Sequence, residues 1–528
     1  MRHEFRSIAA AGLPTRSWRA FWPIGRAALV VALLAGCTSG AATTVQVPAH
    51  MPGPNDWPTY GHDAQHTFHG RTTLTFAEAA TLKQAWYFPT GDAVTATPTV
   101  VNGTVYAGSW DDYFYALNLQ TGSLRWKYRL KSQNAVTPYP GQQPRSVDSD
   151  GGLVTSSAWY QAGDGKRPDL LIFGGGYTLY ALNAETGGLY WSHDYTGRPG
   201  QPANPQTDGT RIFSSPVVVG DKVLFGVDVD GSQGYRGYFV AASVDTGRPV
   251  WQYQTDVGAG GRIQNDGCGS VWSSGTVLPA LGLVVFDVAD CHFGNPPPLS
   301  ESVLALHIAD GRVGWVFRPA RADGVCDLDF GATPNAGIRA GGNAEFLGVG
   351  GKDGTYYALD PATGRQRWST NVVFGGFSGG FIASAAYDGR RVYSATALGD
   401  FGRFEHGTKI FCDPGNPRDL ATQEPSMHAF NSTTGSIAWQ AQHAASFSPT
   451  TVAGGITFNG PAIGGSILSV RIGASGALIA QVALPQANWS GVATVGNAVV
   501  LGVGSTYNAD GAGIVVLTPR GLPPVVPK

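Results

Sequence analysis

The feature that most constrains this fold is a short phrase that repeats along the chain. Its clearest copy, residues 356–368, reads YYALDPATGRQRW. Alternating apolar residues predict a strand that ends near Asp360, and Gly364 supplies the backbone freedom that a tight turn needs. A second strand then carries Trp368. The phrase therefore predicts a β-hairpin.

The same phrase recurs at intervals that match one structural repeat. Six copies keep the final tryptophan, at Trp126, Trp191, Trp251, Trp315, Trp368 and Trp439. A seventh copy, residues 468–480, has Ala480 in its place. A spacing of about 50 to 70 residues fits a four-stranded blade with variable loops. We expect the tryptophans to be core residues that dock against the small alanine of the repeat or against a neighbouring blade.

The end of the chain completes the count of blades. The last strands, between residues 491 and 517, have no partner hairpin. The stretch near Trp57, where we expect the fold to start, is expected to supply the missing strand and to close the ring. Seven hairpins and this remainder predict an all-β fold, a single eight-bladed β-propeller over residues 57–528.

The N-terminal region has the pattern of a targeting segment. Arginines at positions 16, 19 and 26 precede a short apolar run, residues 27–35, which ends in the sequence LAGC at Cys37. This order resembles a bacterial lipobox, so residues 1–37 are a lipoprotein signal peptide in which Cys37 becomes the lipid-bearing residue. The alternative is a plain secretory signal with a chance cysteine. Either interpretation predicts export, and residues 38–56 then form a flexible tether to a lipid anchor.

Four cysteines remain once Cys37 is assigned to the anchor. An even number in an exported chain favours two disulfides, and three pairings are possible. Proximity along the chain favours Cys268 with Cys291 and Cys326 with Cys412. No CxxCH motif for covalent haem occurs, so an oxidoreductase of this sequence would need a separate electron acceptor.

Charge and composition exclude one class of partner. Lysine and arginine number 35 against 37 acidic residues, and no basic cluster indicates nucleic-acid binding. Two long insertions, residues 131–168 and 400–425, are candidate site loops. His62, His66 and His69 could bind a metal, but their spacing is more typical of a polar loop beside the closing strand.

The repeat resembles the tryptophan-docking motif of quinoprotein dehydrogenases, which are eight-bladed propellers that carry pyrroloquinoline quinone (PQQ). Residues 57–63 (WPTYGHD), 269–274 (GSVWSS) and 327–334 (DLDFGATP) are similar to the polyvinyl alcohol dehydrogenase branch. Non-enzymatic propellers, including an outer-membrane assembly lipoprotein, share the same repeat.

The resemblance implies roles for particular residues. Trp272 would form the floor under the planar quinone, and the alternative is another core indole. Asp329, with Asp327 as the close alternative, would be the general base on the alcohol; both could instead cap turns. Lys352 would stabilise negative charge on the reduced cofactor, or be an exposed turn lysine. Arg236 is a further candidate contact for the cofactor.

The calcium site that the resemblance implies is not matched. Ser232 or Gln233 stands where the family has a glutamate ligand. Cys291 lies near the family's asparagine position, with Asn295 a little beyond, and Asp287 or Asp290 could substitute. The adjacent cysteine pair that covers the quinone in many members is also absent.

Two hypotheses of function follow. In the first, the chain is an exported PQQ-dependent dehydrogenase that oxidises a small or polymeric alcohol and passes electrons to a separate acceptor. In the second, it is a cofactor-free lipoprotein that binds other envelope proteins as a scaffold. Convergence of Trp272, Asp329 and Lys352 in one axial pocket would favour the first hypothesis.

Overall fold

The computed structural model describes part of the chain in detail: residues 53, 55–131, 154–163, 167–196, 210–229, 234–257, 267–291, 297–319, 328–339, 342–373, 375, 379–400, 403–405, 408–410, 420–422, 424–442, 444–461, 465–505 and 508–526. The chain divides into two units, Met1–Ala42 and Thr43–Lys528, and the described residues belong to the second. The predicted signal peptide, Cys37 and nearly all of the predicted tether lie outside them. None of the helices within these ranges has the length and apolar character that crossing a membrane requires.

The fold is an eight-bladed β-propeller, as the repeat predicts. Each blade has four antiparallel strands, and in blades 1 to 7 the chain enters at the inner strand and leaves at the outer one. Blade 1 comprises Thr99–Val101, Thr104–Ser109, Tyr113–Asn118 and Leu124–Arg129, and blade 2 comprises Ala158–Tyr160, Leu170–Gly175, Thr178–Asn183 and Leu189–Asp194. Blade 3 comprises Val217–Val219, Lys222–Val227, Tyr238–Ser243 and Pro249–Gln254. Blade 4 comprises Thr276–Leu278, Leu283–Val288, Ser302–His307 and Val313–Phe317.

The second half repeats this order. Blade 5 comprises Asn335–Ile338, Ala344–Gly350, Thr355–Leu359 and Gln366–Asn371. Blade 6 comprises Ala386–Tyr387, Arg391–Ala395, Met427–Asn431 and Ile437–Ala441. Blade 7 comprises Thr451–Ala453, Ile456–Asn459, Ile467–Ile472 and Leu478–Ala483. The remaining elements are short: the helix Phe76–Ala79, the 3-10 turn Pro279–Leu281, and the small strand pairs Leu398–Asp400 with Leu420–Thr422 and Arg403–Glu405 with Thr408–Ile410.

Blade 8 closes the ring, but with a different strand from the predicted one. Its inner three strands are Ala493–Val495, Ala498–Ser505 and Asn508–Pro519, and its outer strand is Leu82–Pro89 from the start of the chain. The expectation that the stretch near Trp57 supplies this strand is wrong. Residues 82–89 were missed because their copy of the repeat has no preceding Thr-Gly turn, although it does carry Trp86.

Each docking tryptophan lies on the turn of the next blade. The indole N–H of Trp126 donates to the carbonyl of Ala184, 3.2 Å away, and its ring lies 2.5 Å from where a Cβ on Gly187 would stand. The same contact joins Trp86, Trp191, Trp251, Trp315, Trp368 and Trp439 to the turns of the blades that follow them. The turn glycine is thus required twice, for its positive φ of 72° at Gly187 and for the space that the indole fills.

A second set of bonds joins the blades near the axis. Residues just before the inner strands donate their N–H groups to hydroxyls of the next blade: Ser215 to Ser274 at 2.9 Å, Ser274 to Thr333 at 3.0 Å, and Thr333 to Ser384 at 3.1 Å. Gly491 donates to Thr97 at 2.9 Å in the same way and so links blade 8 to blade 1. These bonds fix the residues that surround the central channel.

Residues 57–73, here called the strap, cross the other end of the inner strands. Backbone hydrogen bonds join the strap to seven blades, for example from Val277 N–H to Ala64 at 2.8 Å, Ala336 to Gln65 at 2.9 Å, and Tyr387 to Thr67 at 2.8 Å. In blade 3, the remaining one, Ala64 packs against the local core. The segment His69–Gly70 adds a short parallel strand to blade 7. The strap therefore closes one end of the channel and does not supply the outer strand of blade 8.

The three histidines belong to this strap, and they do not form a polar loop beside the closing strand. His66 is fully buried, and its Nδ1 lies 3.0 Å from the hydroxyl of Thr276. Burial lowers the pKa of His66 to about 4. The described residues hold no group of three or more His, Cys, Asp or Glu side chains placed to bind a metal.

Candidate functional site

Three residues singled out from the sequence come together at one point. Lys352 Nζ lies 2.7 Å from Asp329 Oδ1, and the two side chains are only 9% and 3% exposed. The same ammonium group lies 5.1 Å from the centre of the Trp272 ring. The arrangement combines a buried ion pair with a cation–π contact. Lys352 is thus neither an exposed turn lysine nor remote from the indole.

Local structure explains why these side chains meet. Trp272 precedes the inner strand of blade 4, and Asp329 occupies the equivalent segment of blade 5. Lys352 lies in the turn after the second strand of blade 5, and its N–H donates to the Asp329 carbonyl at 2.9 Å. Gly354 closes this turn with a φ of 77°. A Cβ there would stand 2.2 Å from the carbonyl oxygen of Val373, so only glycine fits without displacement.

Asp287 adds a third carboxyl group to this cluster. It is fully buried on the second strand of blade 4, and its N–H donates to Ser273 Oγ at 3.1 Å. Among the described residues, its carboxyl oxygens have no hydrogen-bond partner. Burial raises the pKa of Asp287 well above its usual range, and the Asp329 carboxylate raises it further; Ser273 and Lys352 oppose the shift only in part. Asp287 is therefore a buried carboxyl group with a raised pKa, close to the Lys352–Asp329 ion pair.

The sequence marks Asp287 independently of the family resemblance, which named it only as a possible substitute for a calcium ligand. An acidic residue interrupts the apolar run LVVFDV of residues 283–288. A buried carboxyl in such a strand needs a special environment, so its position alone marks it for attention.

Asp329 is also held by the chain that follows Asp287. The N–H of Asp290 donates to Asp329 Oδ2 at 3.2 Å, while Lys352 holds the other oxygen. The next residue, Cys291, forms a disulfide with Cys268, as predicted. Cys326 and Cys412 lie outside the described residues, so the second predicted disulfide stays a prediction.

A cavity of about 250 Å³ occupies the channel axis next to Trp272. All eight blades contribute to its wall through the segments before their inner strands, and Tyr60 of the strap contributes too. The wall combines aromatic rings with hydroxyls, and every residue that lines it within the described ranges is uncharged. The aromatic members are Tyr60, Phe213, Trp272, Phe447 and Trp489. Such a cavity suits a planar or apolar group that also accepts hydrogen bonds.

Arg236 is not brought into this cluster. The charged or polar groups that act on it are Tyr238 and Asp256, and burial lowers the pKa of its guanidinium group. The sequence-based proposal of Arg236 as a cofactor contact thus has no support from this arrangement. Asp327, the alternative base, lies outside the described residues, as do Ser232, Gln233 and Asn295 of the expected calcium site.

The residues present fit a planar quinone better than a divalent cation. Trp272 offers an aromatic face at the cavity, and Lys352 offers a positive charge beside the Trp272 ring. A cation would compete with Lys352 for Asp329, and the described residues gather no set of oxygen ligands around that point. No step proposed below uses calcium.

Comparison with known sequences agrees with this geometry. The family model described as glucose/ethanol/alcohol dehydrogenase, beta-propeller domain, matches residues 57–373, and the model of outer membrane protein assembly factor BamB matches residues 299–481. The chain is 23% identical to a polyvinylalcohol dehydrogenase of Sphingopyxis sp. (strain 113P3) over 75% of its length. It is 24% identical to a polyvinylalcohol dehydrogenase of Pseudomonas sp. over 66% of its length. These alignments cover 60% and 56% of the two relatives.

Solved structures give the same fold. The quinohemoprotein alcohol dehydrogenase from Comamonas testosteroni matches 90% of this chain with 82% of its own, at a TM-score of 0.68 and 18% identity. A europium-containing methanol dehydrogenase matches 88% of this chain with 98% of its own, at a TM-score of 0.65 and 18% identity. BamB from Moraxella catarrhalis matches less well, at a TM-score of 0.51 and 14% identity over 83% of this chain and 99% of its own.

The first family model covers more than half of the chain and includes Trp272, Asp329 and Lys352. The eight blades, the docking tryptophans and the axial cavity agree with it. The chain therefore belongs to the family described as glucose/ethanol/alcohol dehydrogenase, beta-propeller domain, whose cofactor is PQQ.

Proposed function

We propose that this protein is a PQQ-dependent dehydrogenase that oxidises an uncharged alcohol and passes the electrons to a separate acceptor. The observation that carries the proposal is the convergence of Asp329 and Lys352 on Trp272, which lines the axial cavity. When bound, PQQ would supply the two-electron redox chemistry, which no side chain of the cluster can perform.

The residues of the cluster would divide the remaining work. Trp272 would hold the planar cofactor by its aromatic face, and Lys352 would stabilise negative charge that develops beside it. Asp329 is paired with Lys352 and accepts the N–H of Asp290, and in this proposal it would accept the proton of the alcohol hydroxyl. In this assignment of roles, Asp329 has to give up part of its contact with Lys352 in order to contact the substrate.

The uncharged wall of the cavity bears on the substrate class. Hydroxyls and aromatic rings can bind a neutral alcohol. The described residues of the wall include no cation that would attract a carboxylic acid substrate. Two relatives are named polyvinylalcohol dehydrogenases, so a secondary or polymeric alcohol is the first substrate to test.

The test begins with cofactor binding, measured as quenching of tryptophan fluorescence by PQQ with and without Ca²⁺. We expect saturable quenching that Trp272→Ala abolishes and that Trp159→Phe, a matched change away from the cavity, leaves intact. A dye-linked assay with secondary alcohols and polyvinyl alcohol then follows. An absence of PQQ binding at micromolar concentrations would overturn the proposal.

A second candidate function rests on the BamB model, which matches residues 299–481. In this alternative the chain binds other envelope proteins and uses no cofactor. Pull-down with the purified chain distinguishes the two: partners captured equally by Lys352→Met and by the wild type, together with absent PQQ binding, would favour the scaffold.

The location of the protein is a separate part of the proposal. We propose export through the segment that ends at Cys37, with a lipid on that cysteine as the only membrane attachment. Labelling cells with a fatty-acid analogue tests this, because Cys37→Ser should lose the label and appear in the soluble fraction. A label that survives the substitution would contradict the anchor.

A further inference from the structure

The disulfide closes a covalent loop that contains much of the candidate site. Cys268 and Cys291 are 23 positions apart, with their Cα atoms 5.0 Å from each other. Trp272, Asp287 and Asp290 all lie between them. Asp290, whose N–H holds Asp329, directly precedes the second cysteine. The disulfide thus links the segment that carries Trp272 to Asp290, whose N–H donates to Asp329.

The two ends of this loop are anchored differently. At the first end, Cys268 is buried and its carbonyl accepts the N–H of Gly237 at 3.0 Å. Gly269 adopts a φ of 73°, and a Cβ there would stand 2.5 Å from the backbone nitrogen of Asp256. This end is fixed against blade 3 by backbone packing and by the Thr255 hydroxyl, which donates to the Gly269 carbonyl.

The second end leaves its strand before it reaches the site. The strand ends at Val288, and Ala289 still donates to the carbonyl of Ser270 at 2.9 Å. Asp290 and Cys291 are then held by the bond from Asp290 to Asp329, by the local bond from Cys291 N–H to Asp290 Oδ1 at 2.6 Å, and by the disulfide. Of these contacts, only the disulfide is covalent.

We propose that the Cys268–Cys291 disulfide is a positioning element for the site: it keeps the N–H of Asp290 on Asp329 and so holds Asp329 and Lys352 beside Trp272. The cofactor-related part of this inference rests on the proposed function, whereas the positional part does not. Reduction by a dithiol adds two electrons and two protons and turns the bond into two thiols. The site would then form fully only under conditions that keep this disulfide oxidised.

Hydrogen exchange tests the positional part without any cofactor. We compare the peptide that covers residues 284–291 in the full-length protein with and without dithiothreitol, and count thiols to confirm that reduction is complete. Reduction should speed exchange in this peptide by about tenfold, while exchange in blade 8 stays unchanged. Unchanged exchange after complete reduction would overturn the inference, and so would an equal increase in every blade.

PQQ titration tests the part that depends on the proposed function. Reduction should weaken binding by about tenfold, the size expected for a lost hydrogen bond to a charged group. If the oxidised protein binds no PQQ, the proposed function fails while the exchange result still stands. If it binds PQQ equally well in both states, this inference fails and the proposed function survives.

Variants separate the disulfide from other effects of the reductant. Cys268→Ser/Cys291→Ser should behave like the reduced protein and should not respond to dithiothreitol. Cys326→Ser/Cys412→Ser should respond like the wild type. Asp290→Pro removes the N–H donor while the disulfide remains, and it should weaken PQQ binding more than Asp290→Ala, which keeps that N–H. Equal affinities for the two Asp290 variants would show that this hydrogen bond has no positioning role. If the double serine variant fails to fold, the reduced wild type and the Asp290 pair still decide the question.

Discussion

The two ends of the inner strands are stabilised by different kinds of interaction. The strap end is joined to the blades by backbone hydrogen bonds and by buried uncharged groups such as Trp57 and the neutral His66. The opposite end gathers Asp329, Lys352 and Asp287 around Trp272. Backbone bonds and apolar burial stabilise a fold in any ring of blades, whereas a buried ion pair contributes little net stability for its desolvation cost. The contrast fits the proposed function, in which the charged end would serve chemistry and the strap end would serve stability.

The largest effect is expected from a substitution that disrupts the charged end alone. Lys352→Met leaves the Asp329 carboxylate buried without its cation, which should lower the free energy of unfolding by about 3 to 5 kcal/mol. Urea denaturation measures this loss, and PQQ binding should disappear with it. Lys222→Met, which removes a cation paired with the exposed Asp221, is the matched control and should change stability by less than about 0.5 kcal/mol.

The double variant Lys352→Met/Asp329→Asn sharpens this result. It replaces the ion pair by uncharged groups, so most of the lost stability should return while binding and activity stay absent. A double variant as unstable as Lys352→Met would mean that Lys352 stabilises the fold by packing and not through its charge.

A smaller effect is expected at the strap end. Trp57 is fully buried in the core that joins the strap to blades 1 and 8, so Trp57→Ala should lower the free energy of unfolding by about 3 kcal/mol. At a temperature below its unfolding transition, the variant should bind PQQ with an affinity within twofold of the wild-type affinity. Trp57→Phe, which keeps most of the apolar surface, should cost about 1 kcal/mol. Loss of affinity in Trp57→Ala would show that the two ends are coupled.

The last comparison concerns pH, and the sign of the pH dependence of stability differs between the two ends. The folded-state pKa of Asp287 is raised, so the folded protein binds more protons than the unfolded one above pH 3.8, and stability falls as pH rises from there. Asp287→Asn should remove this loss, which is about 1.4 kcal/mol for each pH unit of the window, and make the variant more stable than the wild type at pH 7. Chemical denaturation between pH 4 and pH 8 measures the slope.

His66 gives the opposite sign and serves as the comparison. Its folded pKa is about 4 against 6.5 for the unfolded chain, so stability is present above pH 6.5 and is lost as pH falls towards 4. Asn tolerates the local φ of 51°, so His66→Asn should flatten this acid slope.

The Asp287 prediction has a clear contrary outcome. If Asp287→Asn were less stable than the wild type at pH 7, the Asp287 carboxylate would be ionised and paired in the folded protein.

Local patterns account for the parts of the molecule that the sequence predicted well. The turn glycines and the alternating strands encode each hairpin within about 15 residues, so the number of blades follows from counting copies. The pairing of Cys268 with Cys291 follows from proximity in the chain. The family resemblance led to Trp272, Asp329 and Lys352, which the structure then brings together.

Contacts between distant segments account for the parts that were missed. Leu82–Pro89 pairs with Asn508–Pro519, more than 400 positions away, and nothing in either segment names the other. The strap has no repeat to compare with. Apart from the bonds of Tyr60 to Ser384 and of His66 to Thr276, it is joined to the blades largely through their backbone, which no side-chain pattern marks. Arg236 was proposed from an alignment position alone, and its environment proved to be Tyr238 and Asp256.

The sequence by itself thus determined the blade, its number of copies and the tryptophan that each copy contributes, because these depend on residues that are neighbours in the chain. Only the tertiary structure decided which strand closes the ring, which end the strap seals and which charges meet beside Trp272. The physical reason is that burial and pairing of Asp287, Asp329 and Lys352 depend on the packing of blade 4 against blade 5. A carboxyl group has its ordinary pKa in the unfolded chain, and only folding gives it a different one.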